Sequence, residues 1–310
     1  MTCHNCKTEC RRFGKTRKGQ QRYQCCQCFK TYSEPRNEAL GGMYTPPEQI
    51  ESIVKLFVEG CSVRSIERIT GVHRDTILRA LVIVGQRCER LLERLCQNVP
   101  VSDVQLDEMW GYVGCKERRN VTGDPERGDA YCFVAIERNT KLVLTWHLGR
   151  RTAEDTMRFV DKLDRAAAGH FQVTTDGWKP YPDAIHTALG VRVSYAQLIK
   201  VYGAPLDEEH RYSPPRVLEA IAKPVWGHPD PAKICTSHVE RQNLTMRMHI
   251  RRLTRLTNAF SKKRENLRAA LALHFAWYNL CRVHQTLRVT PAMEAGITTQ
   301  VWSIERLLTN

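Results

Sequence analysis

Apolar residues recur along this chain with two periods, and the change from one to the other divides it. Ile50, Ile53, Val54 and Phe57 follow i, i+3, i+4, i+7, which predicts an amphipathic helix ending at Gly60. A second helix is predicted behind Ser62, whose hydroxyl suits an N-cap, with Val63, Ile66 and Ile69 inward. Gly71 then allows a tight turn, and a third helix runs through Arg74, Asp75, Thr76, Ile77 and Arg79. Val84, Cys88, Leu91, Leu92 and Leu95 continue a helical stripe suited to packing or dimer contact. Beyond Val101 the signal becomes that of strands. VSDVQLDEMWGYVG reads as one strand, and after a basic loop over residues 116 to 130, YCFVAIE and KLVLTWHL read as a hairpin joined by RNT. TAEDTMRFVDKLDRAA is a helix opened by Thr152 with Glu154 and Asp155 in its first turn, and FQVTTD a buried strand running into Gly177. After Pro180 the pattern weakens, and residues 190 to 234 read only as a helix, a strand or two and an insertion. A long helix is predicted from about Ser237, because Val239, Met246, Ile250 and Leu253 fall within about 60 degrees at ~100 degrees per residue. Glu240 sits at the edge of that stripe. Arg247, about 20 degrees away in azimuth, is expected to project toward the same sheet edge.

The joints between these patterns set the expected domains: residues 1–34, a linker over 35–45 rich in Pro and Gly, a helical block over 46–98, a mixed zone over 99–285 and a tail over 286–310. The three helices have the order of a helix-turn-helix, in which His73, Arg74, Asp75 and Thr76 would face base edges in a major groove and Arg79 would reach phosphate or base. An ordinary three-helix bundle has the same apolar spacing. Three antiparallel strands, a helix and a further strand ending in an acidic residue outline a ribonuclease-H-like sheet. The expected class is therefore α+β and multidomain.

Charge narrows the partners. Lys and Arg total 47 against 33 for Asp and Glu, a formal +14 over 310 residues, which points to an anionic polymer and first to nucleic acid. No stretch approaches the roughly 18 apolar residues of a membrane span, and the start of the chain is polar and cysteine-rich instead of signal-like, so the expected location is cytosolic. Of the 13 cysteines, Cys3 and Cys6 form one CxxC and Cys25 and Cys28 another, with 18 residues between the pairs. That spacing suits a zinc ribbon, whose metal supplies the core energy that the intervening KTECRRFGKTRKGQQRYQ lacks. Cys10, Cys26 and His4 are possible substitute ligands. A redox pair is disfavoured because no βαβ pattern surrounds it, and a disulfide by the reducing compartment. Arg11, Arg12, Lys15, Arg17, Lys18 and Arg22 make the loop basic, which suits phosphate contact or a solvated face.

Three acidic residues carry the candidate chemistry: Asp107 in VQLDEMW, Asp176 in FQVTTDGW and Glu240 in SHVERQNL. Ionised carboxylates about 4 Å apart repel by roughly 4 kcal/mol per pair at an effective dielectric of 20, so their convergence requires a compensating cation. All-oxygen ligation points to magnesium or manganese, two of which could activate an attacking hydroxyl and stabilise a departing 3′-oxygen at a phosphodiester. Lys179 and Arg247 would hold phosphates nearby. Glu108 is an alternative to Asp107, since a one-residue phase error flips a strand's faces; Asp103 shares the face of Asp107, and Asp183 is a weaker substitute for Asp176. Trp110 and Trp178 read as core or wall aromatics. His238 and Asn243 suit either substrate contact or a helix cap and surface position.

The order of paired cysteines, three helices, then DEMW, TTDGWKPY and HVERQN followed by TRLTNAFSKKRENL, resembles the insertion-sequence-one family of bacterial transposases over nearly the whole chain. The ending FAWYNLCRVHQTLRVTPAMEAG is similar to one shared by many such transposases, here with Tyr278, Asn279, Arg282, His284, Thr290 and Pro291. The resemblance implies a DDE recombinase with a ribonuclease-H-like core, magnesium dependence and binding of terminal inverted repeats in bacterial cytoplasm. It carries the acidic triad onto Asp107, Asp176 and Glu240 and a basic residue onto Arg247. Synapsis of two DNA ends implies a dimer or higher oligomer. A silent DNA-binding regulator and a hydrolytic nuclease are the competing readings.

Overall fold

The computed structural model describes residues 1–310 apart from 4, 18, 34–39, 41–42, 204–216, 256 and 310. His4, Lys18 and most of the expected linker thus lie outside the described residues. The chain divides into two compact units, Met1–Pro47 and Glu48–Asn310. In the first, β1 (Cys10–Lys15), β2 (Gln21–Cys25) and β3 (Thr31–Ser33) form an antiparallel sheet. Its buried interior is Cys3, Cys10 and Cys25, with Cys6, Tyr23, Cys28 and Tyr32 packed around them. Sulfur is therefore most of the core.

The second unit opens with α1 (Pro47–Val58), α2 (Val63–Thr70) and α3 (Arg74–Leu95). Ile50, Ile53, Val54 and Phe57 are all buried, as their spacing requires. The Ser62 hydroxyl accepts the Ser65 N–H at 3.1 Å and Gly71 closes α2 at φ 68, a left-handed conformation that glycine adopts without strain. Ile69, expected inward, is 63% exposed, because the eight-residue α2 buries only Ile66. Beyond these helices come β4 (Val99–Pro100), β5 (Asp103–Val113), β6 (Gly128–Glu137), β7 (Val143–Gly149), α4 (Ala153–Ala166), β8 (Ala167–Ala168) and β9 (Phe171–Thr175). The remaining elements are α5 (Tyr181–Ala188), β10 (Val193–Tyr202), β11 (Val217–Trp226), α6 (Ser237–His249), α7 (Arg264–Leu280), α8 (Pro291–Glu294) and α9 (Ile304–Thr309).

Six strands form one mixed sheet in the order β11-β10-β9-β5-β6-β7. β5, β6 and β7 are antiparallel neighbours, β9 runs parallel to both β5 and β10, and β11 returns antiparallel to β10. β4 and β8 make a separate short parallel pair. The two faces of the sheet carry different helices. Phe133 of β6 packs on Phe159 of α4, ring centroids 5.4 Å apart, and α5 lies against α4. On the opposite face Trp146 of β7 meets Phe275 of α7 at 5.5 Å, and α6 lies along β5. The segment from 190 to 234, which shows no clear period, is the long β10–β11 hairpin; β11 is exposed on both faces over most of its length, so no alternation was there to read, and residues 204–216 lie outside the described set.

The sequence ending is structural. Asn279 is fully buried in α7 and pairs with the backbone of Val143, accepting its N–H at 3.1 Å and donating to its carbonyl at 2.9 Å, which satisfies part of edge strand β7. Thr290 caps α8, with Pro291 at its first turn. The joint expected at Val99 and Pro100 lies inside the second unit, because α3 packs along α7. Gly85 permits that approach: a Cβ there would stand 2.5 Å from the Ala269 Cα. Arg268 then grips Glu89 through two nitrogens at 2.9 and 2.7 Å. Gly85→Ala is expected to destabilise the unit by about 1–3 kcal/mol despite alanine's better helix propensity, read as a lower denaturant midpoint.

Candidate active site

Parallel pairing of β5 with β9 sets Gln105 opposite Thr174, so Asp176, the first residue past β9, comes to lie beside Asp107. Carboxylate oxygens of Asp107, Glu108 and Asp176 lie within 4.8 Å of one another. Glu240, in the first turn of α6, lines the same cavity of about 590 Å³ as Asp107 and Asp176, together with Lys179 and Lys200. Its carboxylate accepts the Thr236 hydroxyl and is paired with Lys200. The three expected acids therefore share one cavity, while the tightest trio has Glu108 in place of Glu240. Asp107 and Glu108 point to opposite faces of β5 and reach Asp176 around the strand.

Neighbours hold each acid in place. Asp107 Oδ1 accepts the Glu108 N–H at 2.9 Å and Oδ2 accepts Asn243 Nδ2 of α6 at 2.7 Å. Gln105, two residues earlier on the same face and fully buried, accepts the N–H groups of His238 and Val239 at 3.0 and 3.2 Å, which docks the N-terminus of α6 on β5. Asp176 Oδ1 accepts the Trp178 N–H at 2.9 Å. A cation that periodicity did not mark stands between the elements: Arg151 Nη2 lies 3.3 Å from Glu108 Oε2 and 3.4 Å from Asp176 Oδ2.

Other expected residues fall elsewhere. Arg247 does not line this cavity. α6 stops at His249, short of the expected length, and Arg247 donates across the break to the Leu253 carbonyl at 3.0 Å and across to β5 at the Trp110 carbonyl at 3.3 Å. Arg247 does face β5, as its azimuth implies, but seven residues on it stands about 10 Å further along α6 and meets Trp110 instead of the acids. Asp103 is buried against Arg138 at 3.1 Å, and Asp183 is exposed on α5. Trp178 is a wall of the cavity, and Trp110 lies outside it against Tyr112. His73 caps α3 by accepting the Asp75 N–H at 3.3 Å, and His73, Arg74, Asp75 and Arg79 are exposed with Thr76 half-buried.

The acidic trio is under electrostatic tension. Burial, then the Asp176 charge, pushes the Asp107 carboxyl up to about 7 and Glu108 up to about 8. The Glu108 side chain is only 2% exposed, yet its Oε1 makes no hydrogen bond of ordinary geometry among the described residues, although the buried Tyr181 hydroxyl is near enough to stabilise its charge. Hard oxygen donors, crowded and under-satisfied, fit a magnesium or manganese ion.

In the first unit the sulfurs of Cys3, Cys6, Cys25 and Cys28 also lie within 4.8 Å of one another, and all are free thiols. The two CxxC turns repeat one design. Lys7 and Phe29, each following the second cysteine of its pair, both take φ 58, and their N–H groups donate to the Cys3 and Cys25 carbonyls. Backbone N–H groups of Gln27 and Cys28 point at the Cys25 sulfur at 3.3 and 3.4 Å; the Cys28 N–H, then Thr8, hold that thiol down to about 6. Cys6 is driven the other way, to about 12, chiefly by Cys28. Four soft ligands in mutual reach fit zinc. Cys10 and Cys26 stand outside the group.

Fold and site together define an α+β protein with a cation-ready acidic cavity and a four-thiol cluster. By sequence the chain is similar to the insertion element IS1 2 protein InsB of Escherichia coli strain K12, 28% identical over 173 residues that make up 54% of this chain and 71% of that protein. It is also similar to the insertion element IS1 protein InsB of Shigella flexneri, 26% identical over 164 residues, 52% of this chain and 84% of that one. The resemblance to the insertion-sequence-one family is thus present in direct comparison, over about half of the chain. A piggyBac transposase, solved as a synaptic complex with hairpin DNA, aligns with 89% of this chain and 70% of its own at 12% identity and a TM-score of 0.42. No family model matches.

Two outcomes are expected. Cys25→Ser should lose bound zinc and unfold the first thirty or so residues while leaving the melting of the second unit unchanged; undiminished zinc content would count against the thiol site. For the carboxylates the raised values mean that folding favours their protonated forms, so that contribution is present at low pH and is lost as pH rises through about 7 to 8. Metal-free protein should therefore lose stability on the order of a few kcal/mol between pH 5.5 and 8.5, and Asp107→Asn should flatten that slope in calorimetric melts.

Proposed function

We propose that this chain is a transposase that binds double-stranded DNA at the terminal inverted repeats of its element and cuts and joins DNA strands with divalent metal. The observation that carries the reading is one cavity lined by Asp107, Asp176 and Glu240 together with Lys179 and Lys200, acids for cations and ammonium groups for phosphates in the same space. Similarity to insertion-element proteins supports it. So does the sheet, whose antiparallel β5–β7 followed by parallel β9 and β10 is the arrangement expected of a ribonuclease-H-like DDE core.

Magnesium or manganese held by Asp107, Asp176 and Glu240, with Glu108 in reach of the two aspartates, would activate the attacking hydroxyl and stabilise the leaving 3′-oxygen. The chain's own residues do the rest. Asn243 holds Asp107 in one orientation, Gln105 fixes the helix that carries Glu240, and Trp178 walls the cavity beside Asp176. Lys179 and Lys200 bring positive charge to the strand being cut. DNA recognition falls to the helix-turn-helix of α1–α3, where the exposed start of α3 offers His73, Arg74, Asp75, Thr76 and Arg79 to a major groove. The zinc ribbon adds exposed Arg11, Arg12 and Lys15 for phosphates. Joining two element ends calls for a dimer or larger assembly, working in the bacterial cytoplasm.

The decisive assay incubates protein with end-repeat DNA and magnesium and follows nicking and joining. Wild type should do both, and Asp176→Asn should lose both by on the order of 10³-fold or more while still binding the ends. Binding without any nicking by wild type would leave a regulator; nicking without joined product would leave a hydrolytic nuclease.

A further inference from the structure

The cation nearest the acidic trio belongs to the chain. Arg151 precedes the N-cap of α4, and its backbone is fixed: the Arg150 N–H donates to Asp155 Oδ2 at 2.7 Å, Asp155 Oδ1 meets His147 Nε2 at 2.7 Å, and the Thr152 hydroxyl accepts the Asp155 N–H at 3.2 Å. The two adjacent arginines diverge. Arg150 turns to Glu117 and to the carbonyls of Pro125 and Arg127, whereas Arg151 lays its guanidinium 4.3 Å from the centre of the Trp178 ring and toward Glu108 and Asp176.

The grip on the carboxylates is loose. One nitrogen serves both acids at 3.3 and 3.4 Å, longer than the roughly 2.7–2.9 Å of a charge-assisted hydrogen bond, and Glu108 Oε1 stays unpartnered. The guanidinium balances charge without satisfying the oxygens. A magnesium ion, bound at about 2.0–2.1 Å with twice the charge, would satisfy them better. With its side chain 37% exposed, Arg151 has solvent to move into.

We propose that Arg151 is a resident counter-cation that competes with divalent metal for Glu108 and Asp176 and must release them before the ion can bind. It raises the metal concentration at which the site fills and keeps the carboxylates compensated until then. The inference rests on the metal-dependent reading above.

The test needs no DNA. Manganese is titrated calorimetrically into the purified full chain, as wild type, Arg151→Gln, Arg151→Lys and Asp176→Asn. An occupant present about nine-tenths of the time lowers apparent affinity about tenfold, so Arg151→Gln should bind manganese at least about tenfold more tightly than wild type. Arg151→Lys, which keeps the charge without the guanidinium over Trp178, should fall between them and carries the test if the glutamine variant fails to fold. Equal or weaker binding by folded variants would overturn the competitor role, since damage to a merely structural residue does not tighten a metal site. Manganese binding undiminished in Asp176→Asn would instead sink the metal assignment itself, which separates the two failures.

Discussion

Everything at this site turns on like charges brought together by backbone pairing. The parallel registry of β5 and β9 is set by Val104, Val173 and their apolar neighbours, fully buried residues with no part in the chemistry, yet it forces Asp107 and Asp176 side by side. At about 4 Å each ionised pair costs roughly 4 kcal/mol at an effective dielectric of 20, a large fraction of the stability of a whole domain. The chain meets that cost in two ways without any ion. Burial pushes Asp107 and Glu108 toward their neutral forms, and basic side chains from remote elements, Arg151 and Lys200, lean on Glu108, Asp176 and Glu240.

The same sheet ties the helical block to the acids. α3 runs on from its exposed first turn to pack on α7, and α7 reaches β7 through Asn279. A second link is more direct. His249, the last residue of α6, bonds the Val58 carbonyl at the end of α1 through Nδ1 at 2.8 Å, while Arg282 meets its Nε2 at 3.1 Å. Arginine can only donate, so Nε2 accepts and Nδ1 carries the proton toward Val58. Gly60 makes the contact close, since a Cβ there would lie 2.8 Å from the Met248 carbonyl. The helix that carries Glu240 and the first helix of the block are therefore joined at their ends within one unit.

Much of this was legible because periodicity reports burial. The stripe of α1, the Ser62 cap, the Gly71 turn, the β6–β7 hairpin and the Thr152 cap depend on near neighbours in sequence, and each is where its residues put it. The motif also led to three acids that line one cavity. What escaped depends on which distant element covers a face. Ile69 has an inward spacing but is left exposed, β11 lacks alternation because neither face is covered, and Arg247 is claimed by the carbonyls of Trp110 on β5 and of Leu253 beyond the break after His249. Arg151 was invisible for a further reason: as the residue before a helix cap it looks like solvated loop, and the acids it meets, Glu108 on β5 and Asp176 just past β9, are more than twenty residues away on either side.

The two clusters answer crowding differently, and the difference separates their roles. In the first unit the sulfurs meet only neutral donors in the contacts described, backbone N–H groups, Tyr32 and Thr8, and they constitute the core they would stabilise. A cation held there would be part of folding, because among the described residues only Tyr23 and Tyr32 add large side chains to that core. In the second unit the carboxylates sit at the rim of a large apolar core, and partly exposed basic side chains already balance part of their charge. On the proposal above, a metal arriving at such a place would displace Arg151 instead of creating the fold, so it could come and go. A site proposed to admit a phosphodiester and release it again would need that reversibility, which a cation that completes a folding core would not provide.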